Sequence, residues 1–241
     1  MRLNWTICVV STALLTIVSG CQRQSEPTAS KNEKATLIVA ASSGDLSRVQ
    51  KLLREGADPN EHTNSGKTAL HYAAQSKNVS VVEALIQAGA NVNAKMTDNV
   101  TPLMLSLDMA FGQPEIAMAL IRAGADVSVA DANGDTALII AATESSDEVF
   151  QTLLEKGANP NAKGLNGNTA LHYVAMNAIL DRAKLLLGHG ADPTIRNQAG
   201  RTPYDDAETT NPEKSAQAKF QEMRNILSEA AQQKAKAAAK S

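Results

Sequence analysis

From about residue 34 to residue 231 the apolar positions come in alternating blocks, each with its own rhythm. One kind of block carries a tight pair: Leu52-Leu53, Leu85-Ile86, Leu120-Ile121, Leu153-Leu154 and Leu186-Leu187. Each pair stands four and three residues ahead of a Gly-Ala phrase. Earlier apolar residues such as Val49, Val82 and Val149 fall on the same side of a helix, so these blocks predict amphipathic helices. The other kind of block is shorter and carries small residues, as at Ala40-Ala41, Ala73-Ala74 and Ala141-Ala142, which let neighbouring helices approach closely. Thr68, Thr101, Thr136, Thr169 and Thr202 stand where such a helix starts, and threonine is a fair N-cap. Pro102 and Pro203 follow at early helical positions, which tolerate a missing donor. The glycine after each paired block permits the left-handed backbone that ends a helix. The stretch up to the next threonine reverses as a projecting hairpin loop.

The blocks also repeat as words. "GKTALHYAA" starts at Gly66, "GDTALIIAA" at Gly134, "GNTALHYVA" at Gly167 and "GRTPYDDAE" at Gly200, while "NVTPLMLSL" fills the same slot from Asn99. A second phrase follows: "GADPN" at Gly56, "GANVN" at Gly89, "GADVS" at Gly124, "GANPN" at Gly157 and "GADPT" at Gly190. The steps between those five glycines are 33, 35, 33 and 33, and two phrases locked to one period mark a repeat architecture. The chain resembles the ankyrin-repeat family, whose unit is about 33 residues. That resemblance implies an all-α solenoid of stacked helix-turn-helix units with projecting hairpin loops.

The solenoid is expected over 35–231, in units of about 34–65, 66–98, 99–133, 134–166, 167–199 and 200–231. One unit cannot bury its own apolar face, so neighbours stack into a continuous core. "ATLIVAASSGDLSRVQKLLREGADPN" opens the stack without a leading loop, and Phe220, Met223, Ile226 and Leu227 form a stripe that closes it. The Ala/Lys/Gln-rich tail 232–241 is helix-prone with nothing to pack on and is expected to fray. Three departures stand out. Unit three carries two extra residues, Asn99 replaces the hairpin glycine, and Ala178 stands where the family often has glycine between its helices.

The amino-terminal residues read differently. Arg2 precedes a run, Ile7 to Val18, that is almost wholly apolar and, at twelve residues, too short to cross a bilayer as a helix. That is the form of a secretory signal. Its exit, Val18-Ser19-Gly20-Cys21, resembles a bacterial lipobox, and the resemblance implies that Cys21 is acylated and becomes the first residue. Residues 1–20 are then the signal peptide and 21–34 a flexible tether, polar and without apolar period. Among Gram-negative lipoproteins, a residue other than Asp after the cysteine, here Gln22, points to the periplasmic face of the outer membrane. Cys8 would leave with the signal, so the mature chain has no possible internal disulfide.

Composition narrows what the repeats can do. The net charge is −2, which gives no basic excess to draw nucleic acid, and the three Tyr and three Phe offer little base stacking. "SGKT" at 65–68 is no phosphate loop, because the position that needs glycine is Glu61. His71 and His172 both sit in "TALH", where the family uses the imidazole to bond the neighbouring Thr and the adjacent loop; His62 and His189 have no partner at metal spacing. Neither a catalytic constellation nor a metal, cofactor or small-molecule site is expected.

Ankyrin stacks bind proteins through hairpin tips and the exposed face of the first helix. Met96, Thr97, Val100, Met109, Phe111, Leu165 and Met176 map to that side or its edge, with Phe111 able instead to fold inward around the insertion. Flexible Met side chains suit an adaptable contact, and a clustered apolar patch marks an interaction site. Asp131, Asp135 and Glu144 add acid there, which would suit a partner with a basic rim. The expected partner is another protein. Either a secreted toxin, such as a lipase effector, is neutralised by an immunity-type inhibitor, or an envelope enzyme or assembly is scaffolded.

Overall fold

The structure is a computed structural model that describes residues 36–107, 113–209 and 217–239. The signal peptide, the tether, Cys21, Met109 and Phe111 lie outside the described residues, as does the side chain of Glu144. The described residues all belong to one compact unit, Thr36–Ser241.

Twelve α-helices follow one another among the described residues. The first helices of the six units are α1 (Leu37–Ser42), α3 (Ala69–Gln75), α5 (Pro102–Ser106), α7 (Ala137–Glu144), α9 (Ala170–Met176) and α11 (Pro203–Thr209). The second helices are α2 (Leu46–Arg54), α4 (Val79–Gln87), α6 (Pro114–Arg122), α8 (Asp147–Glu155), α10 (Leu180–Gly188) and the longer α12 (Gln217–Ala238). First helices pack on first helices of the next unit and second on second. The outcome is the all-α solenoid expected from the repeat.

The caps explain why the chain turns helical where it does. Thr101 Oγ1 accepts from the Met104 N–H and Thr136 Oγ1 from the Ile139 N–H, both at 3.4 Å. Thr68 and Thr169 make capping boxes in which the third helical residue is a histidine. The second helices have caps of their own: Asp45 accepts from Arg48 N–H, Asn78 from Val81 N–H and Ser146 from Val149 N–H. The first five second helices each close through a bond such as Ala57 N–H to Leu52 C=O at 3.0 Å, with the phrase glycine in between.

Leu70, Leu85, Leu103, Ile116, Leu120, Leu138, Phe150, Leu153, Leu171 and Leu186 are fully buried between the two layers of helices. Most of these are the blocks read from the sequence. The departures also keep their backbone geometry: Asn99 has φ 61 and Ala178 has φ 49, so both adopt the left-handed turn without glycine.

The tail departs from expectation. The closing stripe is buried at Phe220, Met223 and Leu227, but α12 continues as helix to Ala238 instead of fraying. Tertiary contacts hold it. The Lys234 ammonium pairs with the Asp192 carboxylate and lies 3.4 Å from Thr194 Oγ1, and Lys184 pairs with Glu222 at 3.6 Å. Ala231, Gln232 and Ala235 flank a groove of about 450 Å³ whose other wall includes Pro193, Arg196 and Tyr204.

Candidate binding face

The hairpins form a row. Each is pinned at its base by one backbone bond: Thr63 N–H to Lys67 C=O, Met96 to Val100, Asp131 to Asp135, Gly164 to Asn168 and Asn197 to Arg201, all 2.9–3.0 Å. Neighbouring tips are then tied together. Thr97 N–H donates to Ser65 C=O at 2.9 Å, Ala132 to Asp98 at 2.8 Å and Gln198 to Asn166 at 2.9 Å. Between the third and fourth hairpin a side chain does the tying, because Leu165 N–H donates to Asp135 Oδ1 at 3.0 Å. Close approach is built in here: a Cβ on Gly164 would sit 1.8 Å from Asp135 Oδ1, and one on Gly134 would sit 2.7 Å from Lys163 C=O.

The two buried histidines join first helices to the next hairpin. His71 Nδ1 accepts from the Thr68 N–H at 3.1 Å, so Nε2 carries the proton and donates to Val100 C=O at 3.3 Å. His172 repeats the arrangement with Thr169 N–H and Arg201 C=O, both at 3.1 Å. Burial disfavours the charged imidazole and lowers the His71 pKa to about 4; it lowers that of His172 as well. Both histidines are structural ties.

The candidate contact residues separate into two sets. Thr97 is exposed at a tip, and Leu165 and Met176 are half-exposed. Met96 and Val100 are 8% and 6% exposed, so the expectation of an apolar surface there is corrected: they pair across the hairpin base and pack inward. Asp131 and Asp135, at 8% and 6%, are corrected likewise. Asp131 Oδ1 accepts from Asn133 and Asp135 N–H inside its own turn, and Asp135 accepts from Leu165. Burial, reinforced by the Asp131 charge, raises the Asp135 pKa to about 6. These carboxylates present no acidic rim to a partner.

Three features escaped the sequence reading. Val39 on α1 is the large apolar side chain left 52% exposed among the described residues, one repeat before the half-buried Tyr72, whose ring has Lys67 5.2 Å away. Asn60, Asn93 and Asn161 each reach the next unit. Asn60 Nδ2 donates to Gly89 C=O while its Oδ1 accepts from Asn91 N–H; Asn93 serves Gly124 and Asp126, and Asn161 serves Gly190 and Asp192. The signal was in plain view as the last letter of "GADPN", "GANVN" and "GANPN". Finally, buried Arg182 on α10 donates to Ala141, Ala142 and Ser145 C=O at the end of α7, pairs with Asp147 and covers the Phe150 ring.

Among the described residues no group of three or more His, Cys, Asp or Glu could hold a metal, and no helix is long and apolar enough to cross a membrane. A rigid stack with a row of tied hairpins is the frame of a repeat-built binding protein. The family model for ankyrin repeats matches residues 37–131 and 105–197, and the chain belongs to the ankyrin-repeat family. None of the curated proteins compared matches it. Solved structures match in number, 592 chains, so the fold by itself cannot name a partner. One is the predatory endopeptidase Bd0816 from Bdellovibrio bacteriovorus in complex with immunity protein Bd3460. The matched ankyrin-repeat immunity protein is 29% identical with a TM-score of 0.68, over 84% of this chain and 99% of that chain.

Proposed function

We propose that this protein is an immunity-type inhibitor: an ankyrin stack, anchored in the bacterial envelope by lipid on Cys21, that binds and blocks a secreted hydrolase. The observation that carries the reading is the likeness, over nearly the whole of that chain, to an immunity protein bound to an endopeptidase. The same likeness favours a peptidase over a lipase as target. The row of hairpin tips with Thr97, Leu165, Met176 and Val39 is the docking face in this reading. A lipid-anchored inhibitor gains local concentration where its target acts.

The test is capture and inhibition. Purified protein should bind the secreted endopeptidases of its own bacterium and abolish cleavage by one of them. Leu165→Glu should weaken that capture at least tenfold while leaving the helical melt unchanged. A bound envelope protein that stays active in the complex would replace inhibition by scaffolding. Cys21→Ser should move the protein from membranes to the soluble fraction; a variant that stays bound and still takes up labelled lipid sinks the anchor.

A further inference from the structure

Successive units place their residues in equivalent slots, so a residue can be compared with its counterparts along the stack. One slot on the second helices runs Arg48, Val81, Ile116, Val149 and Arg182. The last four are buried and Arg48 is exposed. Leu52 is half-buried where Leu85, Leu120, Leu153 and Leu186 are fully buried. Units two to five each have a neighbour on both sides, whereas among the described residues unit one has only the one that follows. The slots that stand open on α2 are therefore those a preceding unit would cover.

Arg182 shows what this slot does when it is covered. Its Nη1 reaches back one unit and donates to Ala141 and Ala142 C=O at 2.9 and 3.0 Å, and its Nη2 donates to Ser145 C=O. The same guanidinium lies 2.8 Å from the Asp147 carboxylate. One side chain thus reads two features of its neighbour: the carbonyls at the end of a helix, which carry partial negative charge, and a carboxylate just beyond them.

Arg48 holds the same slot without such a neighbour. Among the described residues Arg48 and Arg54 pair with no carboxylate, and Lys51 pairs only with Glu55, at 3.9 Å. Residues 1–35 contain neither repeat phrase, and 21–35 contain no large apolar side chain to lay against Leu52. Glu55, Asp58 and Glu61 follow the basic stretch directly and oppose an anionic lipid surface. A helix end with a single carboxylate meets Arg48 without meeting them all.

We propose that the open face of α2 in unit one is a second docking site, which takes the carboxyl end of an α-helix, with a carboxylate just beyond it, from the protein that this stack binds. Arg48 grips that helix end as Arg182 grips α7, and Leu52 supplies the apolar floor. The exposed Val39 lies on α1 of the same unit, so unit one carries this contact beside the hairpin-row face. The proposal rests on the reading that the stack binds a protein and adds which element of that protein reaches this end.

A copy of residues 134–158, which carries the α7 end and Asp147, serves as the probe when it is joined ahead of Gln22 in the mature chain. Residues 22–35 then act as the linker and hold the copy at about millimolar effective concentration. Amides of 46–54 should exchange about tenfold slower than in the natural chain. Arg48→Ala should abolish that slowing while leaving the urea midpoint of the natural chain unchanged, and Asp147→Asn within the copy should weaken it. No slowing, or slowing that survives Arg48→Ala, overturns the site. On the endopeptidase that the protein captures, Arg48→Glu should weaken binding about tenfold. Capture that is lost with Leu165→Glu but untouched by Arg48→Glu overturns the second site and keeps the inhibitor reading. If no endopeptidase is captured, the inhibitor reading falls and the extended chain still decides the site. Arg48-dependent pelleting with phosphatidylglycerol vesicles assigns the face to lipid and overturns the proposal as well.

Discussion

The hairpins 93–101 and 128–136 close with the same backbone bond and place their two base residues at nearly the same exposure, yet they fill the space with opposite chemistry. In the first, Met96 and Val100 are apolar and the neutral imidazole of His71 donates to the Val100 carbonyl. In the second, Asp131 and Asp135 are carboxylates, and they take up N–H groups of their own turn and of Leu165. A hairpin base of this solenoid is therefore a small interior that needs either apolar filling or acceptors aimed at backbone donors. The difference also gives the two hairpins opposite responses to acid.

The largest expected effect comes from His71. Its folded pKa, about 4, lies below the ordinary value of 6.5, so the stability it allows is complete above pH 6.5 and is lost as pH falls toward 4. Urea melts of the natural chain should lose about 3 kcal/mol of this contribution across that window, with His172 acting in the same direction. His71→Gln should be less stable at neutral pH and flatter in acid. An unchanged slope would show that the imidazole is not held neutral.

Asp135 runs the other way. Its folded pKa of about 6 lies above the ordinary carboxylate value of 3.8, so its favourable contribution is complete below pH 3.8 and is lost as pH rises through 6. Asp135→Asn keeps an acceptor for Leu165 and removes the charge. It should stabilise the protein by about 2 kcal/mol at pH 7.5 and by nothing measurable at pH 4. Equal effects at both values would mean that the carboxylate is solvated.

Gly164→Ala probes the same contact from the other side. The new methyl group overlaps Asp135 Oδ1, so the carboxylate must turn away from Leu165, at a cost of about 2 kcal/mol. Pairing it with Asp135→Ala should recover part of that loss; strict additivity would separate the two residues. The smallest effect is expected for Val100→Ala, about 1 kcal/mol and independent of pH, since it only thins an apolar base.

The same comparison shows where sequence reading succeeds and stops. Helix pairs, their threonine caps and the burial of Leu85 or Leu153 follow from period alone, because a repeated apolar face has one way to be covered. The histidine ties were legible because "TALH" recurs. Met96, Val100, Asp131 and Asp135 were read as surface since they belong to hairpins, and hairpins usually lie outside. Whether a hairpin residue turns in depends on the neighbouring unit, and no spacing within one repeat reports that. Gly164 makes room for Asp135 from 29 residues away. Arg182 was missed for a related reason: three of its partners are backbone carbonyls, which leave no letter in the sequence, and Asp147 and Phe150 lie in the preceding unit.

The terminal helix α12 packs on α10 and α11 as the second helix of the sixth unit, and Lys234 fastens its far end to Asp192 in the fifth. At 22 residues against nine in each of the other second helices, it brings its extra turns back onto the loop of the preceding unit. The last two units are thereby braced to one another by a single continuous rod.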